Sequence, residues 1–277
     1  MRTEDLSPGW RTHLIFAAFD GEVADRGDHL VVRSPASPGY YWGNFLLYEH
    51  PATDADFVPW MQRFDEAIVQ RAPGTGHRAF GIAARAEACV MSPAFAAAGF
   101  RLYSHTTLTL QRGGLAVPPP EPGSSFTLRP LNLPEESALV VDLDLACNDR
   151  GYAPDGYRRF RTQQLQRYAA MDRAGMGRWW GVLHQSQVVA SLGLFGRDGI
   201  GRFQHVQTHP AFRRRGLCRA LVHAASRHGL QRMHWQQLVI CADPDDVAIA
   251  LYRSVGYRDH DSLWLLERRA PEDVIAA

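Results

Sequence analysis

The chain has 277 residues, of which 45% are hydrophobic, and its 30 basic residues nearly balance its 29 acidic ones, giving a formal net charge of +1. This length and apolar content predict two buried cores, and the small net charge excludes a general attraction to nucleic acid or to an anionic membrane. Every basic residue is arginine, which excludes lysine Schiff-base chemistry.

No stretch of the chain is apolar enough to span a bilayer, and residues 1–10 carry acids and a Pro-Gly pair instead of a secretory apolar run. A cytoplasmic location is the resulting expectation. The four cysteines, Cys89, Cys147, Cys218 and Cys241, are widely scattered. They have neither the spacing of a zinc site nor the density of a disulfide scaffold, so we expect free thiols and no metal.

The first half of the chain contains two apolar runs typical of strands, at 45–49 and 79–83. His50-Pro51 ends the first run, and a helical pattern follows it. A further segment runs from Phe95 to Gly99, where glycine is a natural helix stop.

A junction between domains is predicted at 111–125, where Gly-Gly, three consecutive prolines and Ser-Ser interrupt all periodicity. Such a composition favours extended, solvated backbone. We therefore expect a first domain at 1–115, a linker at 116–125 and a second domain at 126–277.

The second half alternates helical and strand patterns, which predicts an α/β domain with a mixed sheet. The predicted helices are 134–148, 155–171, 217–228 and 245–254, and the predicted strands are 179–184, 188–195, 202–208, 237–242 and 263–267.

Four markers occur in the same order in both halves. A His-Pro pair follows a strand, a second strand comes next, and a glycine followed by an aromatic residue ends a short helix. Pro51 is about as far from Gly99 as Pro210 is from Gly256. The order favours a duplication. Coincidence is one alternative, because His-Pro and Gly-aromatic pairs are common. A second alternative is that the first domain is an unrelated α+β domain.

The strongest candidate for a binding site is the turn Arg213-Arg214-Arg215-Gly216-Leu217-Cys218, which joins a predicted strand to a predicted helix. Unpaired backbone amides and the positive end of the helix dipole meet there, as in phosphate sites. Gly216 would let the backbone approach an anion closely. The alternative is an exposed basic helix cap.

This turn resembles the signature of the GNAT superfamily, the Gcn5-related N-acetyltransferases: Gln or Arg, any two residues, Gly, any residue, then Gly or Ala. Arg213, Gly216 and Cys218 occupy the three defined positions, and only Cys218 departs from the pattern. The resemblance covers about 126–268. It implies the mixed-sheet α/β (α+β) acyl-CoA N-acyltransferase fold, here as two GNAT-like domains in tandem.

The resemblance implies acetyl-CoA as co-substrate. The turn would bind its pyrophosphate through Arg213, Arg214, Arg215, Gly216, Leu217 and Cys218. Main-chain groups of Val206 and Thr208 would hold the pantetheine arm. Asp243 follows the strand at 237–242, where family members carry Asn or Asp near the cofactor, although a helix cap explains it equally well.

A second marker of the family is Ala250-Leu251-Tyr252, which is followed by Gly256-Tyr257. In the family this tyrosine lies near the coenzyme sulfur, so the resemblance implies that Tyr252 protonates the departing thiolate. Packing of Tyr252 in the core is the alternative. Direct attack by the acceptor needs no covalent enzyme intermediate, and Cys218 is not expected to be a nucleophile.

A general base must accept the proton of the incoming amine, and His205 is the candidate. Regular strand alternation predicts that His205, Gln207 and His209 share one face, and an imidazole titrates near neutral pH. Weaker rivals are His184, Asp144 and Asp149, and a satisfied strand histidine is the alternative.

The acceptor pocket is expected from Trp179-Trp180 and the segment 147–157, where aromatic and acidic side chains could surround an amine. Core packing and an ordinary loop between helices are the alternatives.

The first half should do no chemistry. In place of the arginine-rich turn it has 52–58, with two acids and no glycine, and in place of Tyr252 it has Phe95. Two acids would repel a pyrophosphate. We interpret this half as a degenerate GNAT-like domain.

The resulting expectation is an enzyme that moves an acetyl group from acetyl-CoA to a primary amine in a ternary complex, as a monomer or homodimer. The expected partner is a small-molecule or peptide amine, without nucleic acid or membrane. The alternatives are an acyl-CoA sensor or scaffold without turnover, and a transferase that uses a longer acyl-CoA or a hydroxyl acceptor.

Overall fold

The computed structural model describes residues 1–72, 74–84, 88–149 and 151–270. The chain forms two compact units. Unit 1 comprises Met1–Thr107, Cys241–Asp245 and the described part of Asp259–Ala277, and unit 2 comprises Leu108–Ile240 and Asp246–Arg258.

These limits differ from the predicted domains 1–115 and 126–277, because segments near the C-terminus group with the first half. The predicted strand 263–267 is the C-terminal half of a longer strand that pairs with a strand of unit 1. The sequence could not predict this grouping, because an apolar run indicates that a strand is buried but does not indicate which strand it pairs with.

The described part of unit 1 contains a sheet with strand order β1-β2-β3-β4-β11-β5 and three α-helices. Its strands are β1 Glu22–Asp25, β2 His29–Arg33, β3 Phe45–Tyr48, β4 Arg78–Ile82, β11 Arg258–Arg268 from Asp259 onward and the part of β5 Arg101–Gln111 up to Thr107. Its helices are α1 Pro8–Asp20, α2 Phe57–Phe64 and α3 Pro93–Ala97.

Both faces of this sheet are covered by apolar side chains. Trp10 and Leu14 of α1 pack with Phe45 on one face. Trp60 of α2 packs with Phe80 on the other face. Strands that are buried on both faces explain the nearly unbroken apolar runs of β3 and β4.

Unit 2 has the strand order β10-β9-β8-β7-β6. Its strands are β6 Phe126–Pro130, β7 Gly177–His184, β8 Gln187–Arg197, β9 Ile200–Thr208 and β10 Gln237–Ala242, of which the last two residues group with unit 1. Its helices are α4 Ser137–Ala146, α5 Pro154–Arg173, α6 Leu217–Gln231 and α7 Ala248–Val255.

The strand neighbours of unit 2 are antiparallel except for β9 and β10, which are parallel and are connected through α6. The mixed α/β sheet predicted for this half is therefore confirmed. Pro154 begins α5, and Gly256, with φ of 110°, ends α7. The predicted helices 134–148 and 245–254 begin later than expected, at Ser137 and Ala248.

Part of the predicted solvated linker packs against unit 2. The Ala116 amide donates to the Val255 carbonyl at 3.0 Å, and the His223 ring bonds the Ala116 carbonyl at 3.0 Å. The start of this segment is thus fastened to α6 and to the end of α7. Within the described ranges, none of the helices has the length and apolarity needed to cross a membrane.

Candidate functional site

The arginine-rich turn lies between the end of β9 and the start of α6. Arg214, with φ of 61°, and Gly216, with φ of 76°, adopt left-handed backbone conformations, and Gly216 stands at the N-cap of α6. A Cβ added at Gly216 would meet no atom within 4 Å. An exposed turn of this shape directs backbone amides outward at the positive end of a helix, which fits a phosphate group.

Two of the three arginine side chains fold back on the turn itself. Arg213 Nε donates to the Thr208 carbonyl at 3.2 Å. Arg215 stacks over the Phe212 ring at 5.2 Å and donates to the Ala211 carbonyl at 3.4 Å. All three arginines are exposed at the surface.

Strand β9 carries a β-bulge. Ser191 of β8 is opposite Gln207, and Gly193 is opposite Gln204, so β9 has one extra residue in this interval. His205, at φ of 48°, lies within the bulge. A bulge of this kind interrupts the alternation of side chains and turns the following backbone.

The bulge corrects the prediction that His205, Gln207 and His209 share a face by regular alternation. His205 is exposed. Gln207 donates to the Asp144 carboxylate, whereas the His209 ring accepts from the Ala211 amide at 3.2 Å. Because the three side chains lie in different surroundings, the alternation argument no longer supports His205, and its role as a base stays a prediction.

The pairing between strands β9 and β10 ends before the bulge. Their parallel register runs from Gln237 opposite Ile200 to Val239 opposite Arg202, and among the described residues it ends there. The last residues of β9 therefore have main-chain groups that β10 does not occupy. Val206 lies in this separated part of β9 and is half-buried.

The carbonyl of Thr208 already has two donors. Arg213 donates to it at 3.2 Å and the Cys147 thiol at 3.5 Å. A carbonyl oxygen has two lone pairs. The predicted contact of Thr208 with a pantetheine arm would therefore require Arg213 or Cys147 to move, or would use another main-chain group.

Cys218 and Tyr252 lie close enough to interact electrostatically, together with Asp246. Burial raises the pKa of the Cys218 thiol to about 12, so the thiol stays protonated at neutral pH. Burial also raises the pKa of the Tyr252 phenol well above its ordinary value, and the Cys218 and Asp246 charges act in the same direction. Both side chains therefore stay protonated at neutral pH.

The other tyrosine of the motif has a structural partner. The Tyr257 hydroxyl lies 2.8 Å from the Ser226 hydroxyl, and both residues are buried. Of the two tyrosines, Tyr252 is therefore the one beside the arginine-rich turn, because it interacts with Cys218 at the start of α6.

Asp243 groups with unit 1, where its carboxylate accepts from the Asp245 amide at 3.0 Å. The helix that Asp243 was expected to cap begins instead at Ala248, whose amide donates to Asp246 at 2.8 Å. Asp243 thus stabilises a turn, and its contact with a cofactor stays a prediction.

The rival bases occupy other environments. Asp144 is fully buried and is paired with Arg161, whose Nε lies 2.7 Å from Asp144 Oδ2. His184 bonds the Ser125 carbonyl at 3.2 Å. Asp149 is exposed at the end of α4.

Trp179 and Trp180 belong to the core, which is the alternative that the sequence left open. Trp179 is 0% exposed and packs against Tyr168 and Phe195. Trp180 is 7% exposed and contacts His228 edge-on. In the described part of the segment 147–157, the half-buried Cys147 contacts the Thr208 carbonyl at the end of β9.

Among its described residues, unit 1 does not have the corresponding site features. Strands β3 and β4 stay paired to their ends, from Leu46 opposite Phe80 to Tyr48 opposite Ile82, and the Ala83 amide donates to the Tyr48 carbonyl at 2.7 Å. The Tyr48 ring stacks on Trp60 at 3.8 Å. Asp54, in the segment that replaces the arginine-rich turn, accepts from Ser92 and Ala94.

Sequence reasoning missed the bulge, the Asp144–Arg161 pair and the position of Asp246. A left-handed conformation is uncommon for residues other than glycine, and it leaves no pattern in the sequence. Acidic residues and arginines on helices are usually exposed, so the sequence did not indicate that Asp144 and Arg161 are buried.

Residues 180–265 match the family model described as FR47-like protein. Among solved structures, the chain is similar to a functionally unknown conserved protein from Staphylococcus epidermidis, with a TM-score of 0.73 and 11% identity over 91% of this chain and 95% of that chain. It is also similar to a GCN5-related N-acetyltransferase from Kribbella flavida, with a TM-score of 0.60 and 15% identity over 92% of each chain. The chain has the GNAT fold.

The GNAT fold occurs here as a tandem. A tandem GNAT protein from the clavulanic acid biosynthesis pathway is similar at a TM-score of 0.52 and 13% identity, over 77% of this chain and 69% of that chain. No curated protein sequence matches the chain. Nowhere in the described parts of this chain do three or more His, Cys, Asp or Glu side chains cluster as a metal site would require.

Proposed function

We propose that this protein is an N-acetyltransferase that moves an acetyl group from acetyl-CoA to a primary amine by direct attack in a ternary complex. The observation that carries the proposal is the position of an exposed, left-handed turn at the start of α6, directly after a strand that bulges and separates from its parallel neighbour. This combination offers amides to a pyrophosphate and open main-chain groups to an extended arm. Similarity to named N-acetyltransferases supports acyl transfer in general.

Acetyl-CoA supplies the activated acyl group as a thioester. Arg213, Arg214, Arg215 and the amides around Gly216, Leu217 and Cys218 hold its phosphates in this proposal, and Val206, Thr208 and Asp243 remain the proposed further contacts. The space open at Gly216 fits such a group, since a side chain there would occupy the cradle. Cys218 also fits, because its small protonated thiol leaves no charge facing the phosphates.

In the transfer, the amine nitrogen forms a bond to the acyl carbon and the carbon–sulfur bond breaks. The departing sulfur receives one proton, and the amine loses one to a base, for which His205 is proposed, or to water. Tyr252 is the proposed donor to the sulfur. Since burial raises the pKa of Tyr252, the phenol is protonated when the carbon–sulfur bond breaks; it donates a hydrogen bond to the developing thiolate and then its proton, which solvent replaces.

The function is tested by amine-dependent release of free thiol from acetyl-CoA across small amines, peptides and antibiotics. The proposal predicts thiol release that requires both substrates and an acetylated amine as product. Binding of acetyl-CoA without turnover for any amine would favour the sensor or scaffold. Turnover only with longer acyl-CoA or with alcohols would instead replace the acetyl group or the amine in the proposal.

A further inference from the structure

A group of buried polar side chains lies between α4, α5 and the sheet of unit 2. Asp144 and Arg161 are each 0% exposed, and Arg161 Nε lies 2.7 Å from Asp144 Oδ2. Asp144 Oδ1 accepts from Gln207 of β9, and Arg161 Nη1 donates to Gln164. This network therefore connects both helices to the strand that carries the bulge.

Three sheet residues face the network. Gln207 is directly opposite Ser191, and Trp179 is opposite Gly193, two residues farther along β8, so Trp179, Ser191 and Gln207 share one face. The Arg161 guanidinium lies over the Trp179 ring at 6.0 Å. We refer to Asp144, Arg161, Trp179, Ser191 and Gln207 as the buried polar group.

Hydrogen-bonding capacity remains unused in the buried polar group. Arg161 Nη2, Trp179 Nε1 and Ser191 Oγ are buried and have no hydrogen-bond partner among the described residues. An unpaired buried donor destabilises a protein, and a charged donor does so more strongly. Because native proteins satisfy almost all such groups, these three donors are the candidates in this part of the fold for binding an oxygen atom from water or from a ligand.

The buried polar group adjoins the end of β9, which leads into the arginine-rich turn. Gln207 is half-buried and lies one residue before Thr208, which contacts Arg213 of the arginine-rich turn. Tyr157 and Cys147 are also half-buried and interact electrostatically with Asp144. Asn148 fastens this side by donating to the Tyr152 carbonyl at 2.7 Å, and the Tyr152 ring stacks on Tyr157.

The net charge of the Asp144–Arg161 pair determines which kind of ligand oxygen fits beside it. Arg161 and Asp144 already neutralise each other, so a carboxylate would add an uncompensated negative charge to a buried site. A carbonyl oxygen would accept from the unused donors without adding charge. Burial also raises the pKa of Tyr157 to about 12, which keeps that neighbouring phenol neutral.

Resting on the proposed transferase function, we infer that the acceptor amine carries a neutral carbonyl oxygen near the reacting nitrogen, as in amino-acid amides and peptide N-termini, and that the buried polar group binds this oxygen through Arg161. Amines without the carbonyl leave the donors unpaired. Free amino acids place a carboxylate beside a pair that is already neutral. The two classes should both be poorer acceptors.

The test compares kcat/KM for thiol release with matched acceptors: glycinamide, leucinamide and phenylalaninamide, the corresponding free amino acids, and the amines in which the carbonyl group is absent. Rates are expressed per concentration of unprotonated amine, since amides lower the amine pKa. We expect the amides to exceed the simple amines by about tenfold to a hundredfold, the factor that one hydrogen bond to a charged group represents. The free amino acids should also fall below the amides.

The double variant Asp144→Asn/Arg161→Met removes both charges together and keeps an acceptor for Gln207. Neutralising a buried pair as a whole is better tolerated than removing one partner. We expect this variant to bind acetyl-CoA normally and to lose the preference for amides. The matched control is Asp142→Asn/Arg158→Met, which makes the same changes in an exposed pair on the same two helices, with Arg158 51% and Asp142 64% exposed. The control should keep the preference.

The outcomes separate this inference from the proposed function. Thiol release with equal kcat/KM for amides and simple amines would overturn the inference, since water alone would then fill the site, and it would leave the transferase intact. A preference that survives in the double variant would equally overturn it. If the double variant does not fold, the ratio of kcat/KM for amides to that for simple amines, measured on the wild-type protein, tests the inference. Absence of thiol release with every acceptor would contradict the proposed function itself.

Discussion

The hydroxyl groups of Tyr257 and Ser226 lie 2.8 Å apart in the core of unit 2. Tyr252, five residues earlier, interacts instead with Cys218 at the start of α6. Two tyrosines of one short motif thus have different surroundings, one bonded within the core and one beside the arginine-rich turn. This difference allows one to be tested against the other.

Tyr252→Phe should lower the maximal rate of thiol release by about tenfold to a hundredfold, because the departing sulfur loses its hydrogen-bond donor. The affinity for CoA should remain nearly unchanged, since the ring keeps its packing. Steady-state kinetics and calorimetry with CoA measure the two effects separately.

Tyr257→Phe is the matched control. It removes the same atom from a tyrosine on a neighbouring position, and it should lower the free energy of unfolding by about 1 kcal/mol through the lost Ser226 bond without changing the rate. Equal rates for Tyr252→Phe and wild type would remove Tyr252 from the mechanism.

Gly216→Glu should abolish CoA binding. The new side chain would fill the open cradle of the arginine-rich turn and bring a negative charge to the expected pyrophosphate position. Gly175→Glu is the control, because Gly175 has a similar φ of 73° and equally open space. Both variants introduce similar backbone strain, so calorimetric titration should show loss of CoA binding only for Gly216→Glu. Undiminished binding by that variant would refute the position of the loop.

Cys218→Ala should retain CoA binding and at least most of the rate. Alanine is a residue that the GNAT signature allows at this position, and the protonated thiol of Cys218, with its pKa raised to about 12, is a poor nucleophile. Mass spectrometry should also find slow alkylation of Cys218 by iodoacetamide at pH 7. A complete loss of activity on substitution by alanine would point to a covalent role for the thiol.

The Arg129–Glu136 pair predicts a dependence of stability on pH. The Arg129 guanidinium and the Asn132 amide hold the pKa of Glu136 below its ordinary value of 4.5. A depressed folded-state pKa contributes stability above the unfolded pKa and loses it as pH falls through the folded value. The destabilisation caused by Glu136→Gln should therefore be constant near neutral pH and shrink in acid, as denaturant unfolding across pH 3–7 would show. A difference that grows in acid would contradict this sign.

The sequence predicted much of unit 2, because its strands and helices have clear periodicity and the turn before α6 has a glycine at the position that needs a left-handed backbone. It could not predict that β11 pairs with β4, where five residue pairs run from Trp264 opposite Ile82 to Arg268 opposite Arg78. The same apolar run would fit several sheet edges. Non-local pairing is decided by the complete sheet.

The candidate site was predicted in part. Arginine, glycine and tyrosine types identified the turn and Tyr252, since their chemistry depends on local backbone and residue type. The bulge at His205 and the burial of Arg161 depend on how α4 and α5 cover the sheet. Such tertiary effects override local alternation and the usual exposure of charged residues.

Calorimetric titration of the full chain with acetyl-CoA tests the central claim most directly. We predict saturable binding with a stoichiometry of about one per chain, because unit 2 has the open turn and separated strands, whereas β3 and β4 of unit 1 stay paired. Binding at two sites would contradict the degenerate status of unit 1. No binding of acetyl-CoA or CoA would contradict the account as a whole.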